Sequence, residues 1–383
     1  MINDSLEIFH PRKLSFGAGC SRNIGKDLRS YKLKRILIVT FSAVLSQLDE
    51  WTGLLKQGGA ELTIDVSIEN EPTFSDLEKL LDKARDLKPE CVIGVGGGSI
   101  MDVAKLLAAG INNTQSLFDM VGTNKLQTRD ILLVCVPTTS GTGSEVSPNA
   151  ILLDETDDQK KGIISPFLVP DMVYVDPLLT VSLPRAVTAA TGLDALTHCI
   201  EAFANRFSHP LVDMYALEGI RLIGANLVRS YTHGDDLEAR AAMSLGSLFG
   251  GVCLGPVNTA AVHALSYPLG SRFHIAHGLS NALLLPHVIE FNLPAAPDRY
   301  AMIAKALGCP VTGTQEALAR EGIQWMVNAM KRCGVPLRLS DLNIPLGAID
   351  DMATDAMKVT RLLKNNVREV SHSDAVKIYE LAY

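Results

Sequence analysis

The sequence predicts an α/β domain followed by an all-α domain. Three observations predict it. Four short apolar, β-branched runs occur in the first half, helical patterns lie between them, and strand-like runs stop after about Asp176. The runs are Arg35–Thr40 (RILIVT), Cys91–Val95 (CVIGV), Ile131–Val136 (ILLVCV) and Met172–Asp176 (MVYVD). Continuous apolar runs of this length suit strands of a parallel sheet covered on both faces. Between them, Ser75–Leu87 places Leu77, Leu80, Leu81, Ala84 and Leu87 on one helical face. Beyond Asp176 the expected helices are Ala189–Asn205, Leu211–Tyr231, Leu237–Leu254, His277–Glu290, Pro297–Leu307 and Thr314–Cys333. A chain of 383 residues exceeds one ordinary core. The expected boundary lies between Asp176 and Pro184, giving domains 1–180 and 181–383. No internal repeat or low-complexity tract interrupts either half.

Composition excludes several classes. At 47% hydrophobic and 20% charged, the chain is a folded protein. The formal net charge of -7, with both signs interspersed, disfavours nucleic acid, which needs a basic face. No polybasic run points to an anionic membrane. The apolar stretches Ile131–Pro137 and Ala282–Pro286 fall far short of the roughly 20 residues of a membrane span. Met1–Lys13 lacks the pattern of a signal peptide. The seven cysteines are widely spaced without a CxxC pair, which suits reduced thiols. The expectation is a cytoplasmic protein.

Two loops suggest a nucleotide site. Gly94-Val95-Gly96-Gly97-Gly98-Ser99 follows an expected strand and opens the helix Ile100–Ala109. Glycines let the backbone approach an anion, and a helix start offers unpaired N–H groups and a positive dipole end. Ser99 could cap that helix, and Asp102 and Lys105 lie in its first turns. The spacing departs from GxGxxG in its last residue, and a Walker lysine is absent; a tight turn without ligand stays open for this loop alone. The strand Ile131–Val136 runs into Pro137-Thr138-Thr139-Ser140-Gly141-Thr142-Gly143-Ser144-Glu145. Hydroxyls and glycines at neighbouring strand ends are where Rossmann-like sheets bind dinucleotides.

Asp194 and His198 stand at i and i+4 of a helical pattern, so both leave one face about one turn apart. Carboxylate and imidazole together suit Zn2+ or Fe2+. His263 and His277 lie further on. By spacing alone they read as ordinary histidines, as do His10, His209, His233, His274 and His287.

With these motifs the chain resembles the iron-containing (group III) alcohol dehydrogenase family, in the superfamily of glycerol dehydrogenase and dehydroquinate synthase. The matching segments are GGGSIMDVAK at Gly96–Lys105, PTTSGTGSE at Pro137–Glu145, GLDALTHCIEAF at Gly192–Phe203, and HALSYPLGSRFHIAHGLSNALLLPHV at His263–Val288. The resemblance implies a Rossmann-like N-terminal domain, a helical C-terminal domain and catalysis in the cleft between them. It joins Asp194, His198, His263 and His277 as one metal site for Fe2+, alternatively Zn2+. It implies that Gly96, Gly97, Gly98 and Ser99, with Asp102, hold the pyrophosphate of NAD or NADP. Thr138, Thr139, Thr142 and Ser144 would line the cofactor, with Asn149 and Lys160 completing its site. The implied reaction is hydride transfer between NAD(P) and an alcohol, aldehyde or ketone, in a homodimer or larger assembly.

The sequence departs from relatives at three points. NAD-preferring relatives carry Asp after the first strand, where Val39-Thr40 is here followed by Phe41-Ser42. Their Asn-Pro reads Glu71-Pro72. Many have a second histidine where this chain has Tyr267, a poorer proton shuttle at neutral pH than imidazole, so Tyr267 joins the catalytic candidates. The alternative is a metal- and NAD-dependent lyase like dehydroquinate synthase, which would need basic residues around His263–His277; only Arg272 is there. A non-catalytic nucleotide-binding scaffold is a further alternative, against which the full ligand set stands.

Overall fold

The computed structural model describes residues 5–311 and 313–383. The first four residues of the segment read for a leader therefore lie outside the described residues. The chain divides into two compact units. One comprises Phe9–Thr139 and Gly143–Val181; the other comprises residues 5–8, Ser140–Thr142 and Ser182–Tyr383. Among the described residues every strand precedes Asp176.

In chain order the α/β unit contains β1 (Lys13–Phe16), α1 (Ile24–Arg29), β2 (Arg35–Val39), α2 (Asp49–Gln57), β3 (Glu61–Asp65), α3 (Phe74–Leu87), β4 (Cys91–Gly96), α4 (Gly98–Gly110), α5 (Leu117–Met120), β5 (Gly122–Thr123), β6 (Leu132–Pro137), β7 (Asn149–Asp154), β8 (Gln159–Ile164) and β9 (Met172–Val175). Six strands form a wholly parallel sheet in the order β1-β9-β6-β4-β2-β3. Its central strand β4 is buried at every residue, which is why it reads as an unbroken apolar run. The chain moves from β2 outward to β3, then returns to β4 on the other side of β2. The order therefore reverses between β2 and β4, and sheets of this class bind nucleotides at such a point. Thr40 ties the two strand ends there, its hydroxyl donating to Val95 O at 2.8 Å. A smaller sheet, β5-β8-β7, carries the antiparallel hairpin of β7 and β8.

Helix α3 starts one residue earlier than the periodicity predicts. Thr73 accepts from Asp76 N–H and Asp76 answers to the Thr73 backbone, a capping box. Leu77, Leu80, Leu81 and Ala84 are buried as expected, but Leu87 is exposed. The helix ends there, with Lys88 left-handed at φ 48°, so the last leucine leaves the buried stripe.

The second unit is helical: α6 (Arg185–Phe203), α7 (Pro210–Thr232), α8 (Leu237–Cys253), α9 (Ala261–Phe273), α10 (His277–Asn292), α11 (Pro297–Ala306), α12 (Gln315–Arg332), α13 (Ile349–Met357), α14 (Thr360–Leu363) and α15 (His372–Ala382). Helix α6 is buried from Gly192 to Phe203 on all sides, so it is the axis around which α7, α8 and α10 pack. No helix among the described residues is long and apolar enough to cross a membrane.

Candidate metal centre and cofactor loops

Three helices of the second unit each present a pair of side chains one turn apart. Helix α6 offers Asp194 and His198, α9 offers His263 and Tyr267, and α10 offers His277 and Asn281. Helix α9 ends at left-handed His274, whose N–H donates to Gly270 O, and three residues later α10 opens at His277. Gly278 lets the start of α10 lie against α6: a Cβ there would stand 2.2 Å from Ala190 O and 3.1 Å from Asp194 Cβ. Glycine at this position is what brings His277 beside Asp194.

The ligand atoms of Asp194, His263 and His277 lie within 4.8 Å of one another. His198 stands outside that triad but reaches it through Nε2, 3.0 Å from His263 Nε2. Glu201, on the same helix as Asp194, takes the opposite nitrogen: its Oε2 lies 2.6 Å from His263 Nδ1, and its Oε1 accepts from Val262 N–H at 2.6 Å. A carboxylate on Nδ1 holds the proton there and leaves the Nε2 lone pair facing the cluster, as a metal-ligating histidine requires. Asn281 reads the same polarity. Its Nδ2 donates to Asp194 Oδ1 at 2.7 Å and lies 3.1 and 3.3 Å from Nε2 of His263 and His277. The donor set thus turns a carboxylate oxygen and imidazole lone pairs toward one point, which fits a divalent metal. Burial alone would raise the Asp194 carboxyl, but the three imidazoles outweigh it and hold it below its ordinary value. Burial likewise pushes His198 down toward the neutral, ligating form.

Glu201 and Asn281 both lie within the motifs quoted above, yet spacing from a histidine does not single them out as partners. The usable signal for Asn281 is its i+4 relation to His277. For Glu201 there is none, because its partner comes from another helix.

Most cofactor candidates sit in the loops after β4 and β6, with Asp102 in α4, Asn149 at the start of β7 and Lys160 in β8. Helix α4 begins at Gly98 with Gly97 as its N-cap, so Ser99 lies inside the helix rather than capping it. Gly97 supplies no capping side chain, which leaves the first N–H groups of α4 to an anion. Gly96 has a packing role: a Cβ there would meet Ile100 Cβ at 2.7 Å. Gly97 faces Thr139 with only ordinary contact, 3.5 Å to Oγ1. The Thr138 hydroxyl is buried with no hydrogen-bond partner, as is Asn149 Oδ1.

Asp102 and Ser144 serve structure first. Asp102 accepts from Ser144 Oγ at 2.5 Å and from Ile151 N–H at 2.9 Å. Lys105, fully buried, donates to Ser144 Oγ at 2.8 Å, Ser147 O at 2.9 Å and Asn149 O at 2.8 Å. A carboxylate so engaged orients the loop and makes a poor direct partner for a pyrophosphate of like charge. Burial pushes Lys105 down and Asp102 up, and each opposes the shift of the other. Lys105→Met would leave the Asp102 charge uncompensated, and a stability loss of about 3 kcal/mol is expected in urea unfolding. Thr142 belongs with Ser140–Thr142 to the helical unit, where Ser140 Oγ lies 3.0 Å from Ser244 Oγ. Lys160 pairs with Glu71 at 2.5 Å, the residue that replaces the relatives' asparagine. Arg272 is committed to Asp355 and Asp351, so it is a salt-bridge residue.

Comparison with known proteins finds relatives over nearly the whole chain. Residues 11–177 match the iron-containing alcohol dehydrogenase model, and residues 188–383 match the model of the Fe-containing alcohol dehydrogenase family, C-terminal. The chain belongs to the iron-containing alcohol dehydrogenase family. It is 36% identical to long-chain-alcohol dehydrogenase 1 of Geobacillus thermodenitrificans, over 98% of this chain and 96% of that one. It is 29% identical to the NAD-dependent methanol dehydrogenase of Bacillus methanolicus, over 98% and 99%. The solved structure of a 1,3-propanediol oxidoreductase superposes with a TM-score of 0.95 at 30% identity, covering 99% of this chain and 100% of that one. These relatives are oxidoreductases of alcohols, and none lends support to the lyase alternative.

Proposed function

We propose that this iron-type alcohol dehydrogenase carries its reaction on a metal held by Asp194, His198, His263 and His277, with NAD(P) as hydride acceptor. The observation that carries the proposal is the polarity of His263. Its Nδ1 is taken by Glu201, so its Nε2 lone pair faces Asp194 and His277. A bound divalent iron, or zinc in its place, supplies Lewis-acid stabilisation of negative charge on the substrate oxygen. The protein's own part is to hold the donors in register: Glu201 fixes the tautomer of His263, and Asn281 braces Asp194 against His277. Tyr267, on the turn after His263, is the candidate for moving the alcohol proton.

For the cofactor, the open N-terminus of α4 and the turn Gly96–Ser99 suit the pyrophosphate. Thr138 and Thr139, beside that turn, are candidate hydroxyl donors, with Thr142 next in the same loop; Asn149 would add its unpartnered oxygen, and Ser144, Asp102 and Lys160 would keep the loops in place. At the end of β2, Phe41 packs into the α/β core where NAD-preferring relatives carry an acidic residue. Without a carboxylate to repel a 2′-phosphate, use of NADP as well as NAD is expected. We assign the chain to the cytoplasm as a homodimer or larger assembly.

The test is metal depletion. A chelator should abolish alcohol-dependent reduction of NAD or NADP, and added Fe2+ should restore it. Zn2+ supplied in parallel identifies the preferred ion. Undiminished turnover at zero bound metal would overturn the proposal.

A further inference from the structure

Tyr267 and Arg361 form a polar pair beside the histidine cluster. Tyr267 leaves the same face of α9 as His263, one turn on. Its ring centroid lies 6.1 Å from that of His277. Its hydroxyl accepts from Arg361 Nη2 at 3.0 Å, and the guanidinium carbon stands 6.0 Å from the ring centroid. Arg361 belongs to α14, separated from Tyr267 by 94 positions, so the fold alone brings the two together.

Several other arginines of this unit are neutralised by carboxylates. Arg272 meets Asp351 and Asp355, Arg299 meets Asp213, and Arg229 meets Asp236 and Glu238. Half-buried Arg361 meets a phenol instead, and among the described residues no acidic side chain pairs with it. Guanidinium stays charged at any working pH and presents several donors in a plane, the geometry that grips a carboxylate or another oxyanion. Tyr267, accepting from Arg361 Nη2, holds the guanidinium in place.

We infer that Arg361, positioned by Tyr267, recognises an acidic group at the far end of the substrate. The preferred substrates are then short ω-hydroxy acids and the corresponding aldehyde acids, bound with the alcohol or carbonyl at the metal and the oxyanion at the guanidinium. This rests on the reading of the cluster as the metal centre.

The experiment compares kcat/KM of the iron-loaded enzyme for ω-hydroxy acids, from 3-hydroxypropanoate to 6-hydroxyhexanoate, with 1-alkanols of equal length. The wild type is expected to favour the acids. Arg361→Gln should lower the acid-to-alkanol ratio by about 10- to 100-fold, the usual size of a lost charge-assisted contact. Arg361→Lys should recover part of it. Glutarate should raise the melting temperature of the wild type and not that of Arg361→Gln, a readout independent of turnover. Metal-dependent oxidation of alkanols at least as efficient as that of the acids, with no stabilisation by glutarate, would overturn this inference alone. Oxidation of either class that survives complete metal depletion would instead overturn the metal-centre reading. If Arg361→Gln fails to fold, the wild-type preference and the glutarate shift still decide.

Discussion

His263→Ala is expected to strip the metal and to lower kcat by roughly 1000-fold or more, since a bound metal ion supplies several kcal/mol of transition-state stabilisation. Three contributions are lost together. The Nε2 donor disappears from a cluster whose members lie within 4.8 Å of one another. Asn281 loses one of the acceptors that hold its amide in place. Glu201, buried in the helical core, keeps only the Val262 N–H, and an under-satisfied buried carboxylate costs about 1–3 kcal/mol of stability. Metal content by elemental analysis, turnover and thermal unfolding should be measured on one preparation. A fully folded variant with wild-type iron and wild-type turnover would refute the ligand assignment.

Gly278→Ala should do comparable damage without touching a donor atom. The added methyl would stand 2.2 Å from the Ala190 carbonyl oxygen. That neighbour is backbone inside α6, so it cannot swing aside as a flexible side chain would. Helix α10 must move away from α6, and His277, the residue just before, moves with it away from Asp194. Overpacking of a rigid contact costs about 3 kcal/mol, and displacing a ligand should weaken metal affinity by about 10- to 100-fold. Thermal unfolding of the metal-free and iron-loaded forms separates the two effects. The metal-free form should lose stability, and the loaded form should lose that amount plus part of its metal-dependent gain. A variant with both melting temperatures unchanged would show that α6 and α10 do not meet as described.

How much could be read in advance depended on burial. Strands β2, β4, β6 and β9 are legible because a strand covered on both faces must be apolar throughout. Strands β1 and β3, at the sheet edges, have no fully buried residue over only four and five positions, too short and polar to stand out as KLSF and ELTID. The hairpin of β7 and β8 is missed for the same reason, since β8 begins QKKG. The long helices are legible because six segments without strand-like runs leave few alternatives. Their ends shift by a few residues where caps decide.

For the site, local spacing alone determined that Asp194 and His198 share a helix face and that the glycines after β4 open a helix. Motif resemblance joined the four candidate ligands. Only the tertiary structure decided which partners orient them. Glu201 reaches His263, Asn281 reaches Asp194, Lys105 reaches across to Ser144, and Arg361 reaches Tyr267. Each of these contacts joins separate elements, and sequence periodicity carries no information about which faces of separate helices meet. The same holds for Gly278, whose meaning lies in the Ala190 carbonyl opposite it, not in its neighbours along the chain.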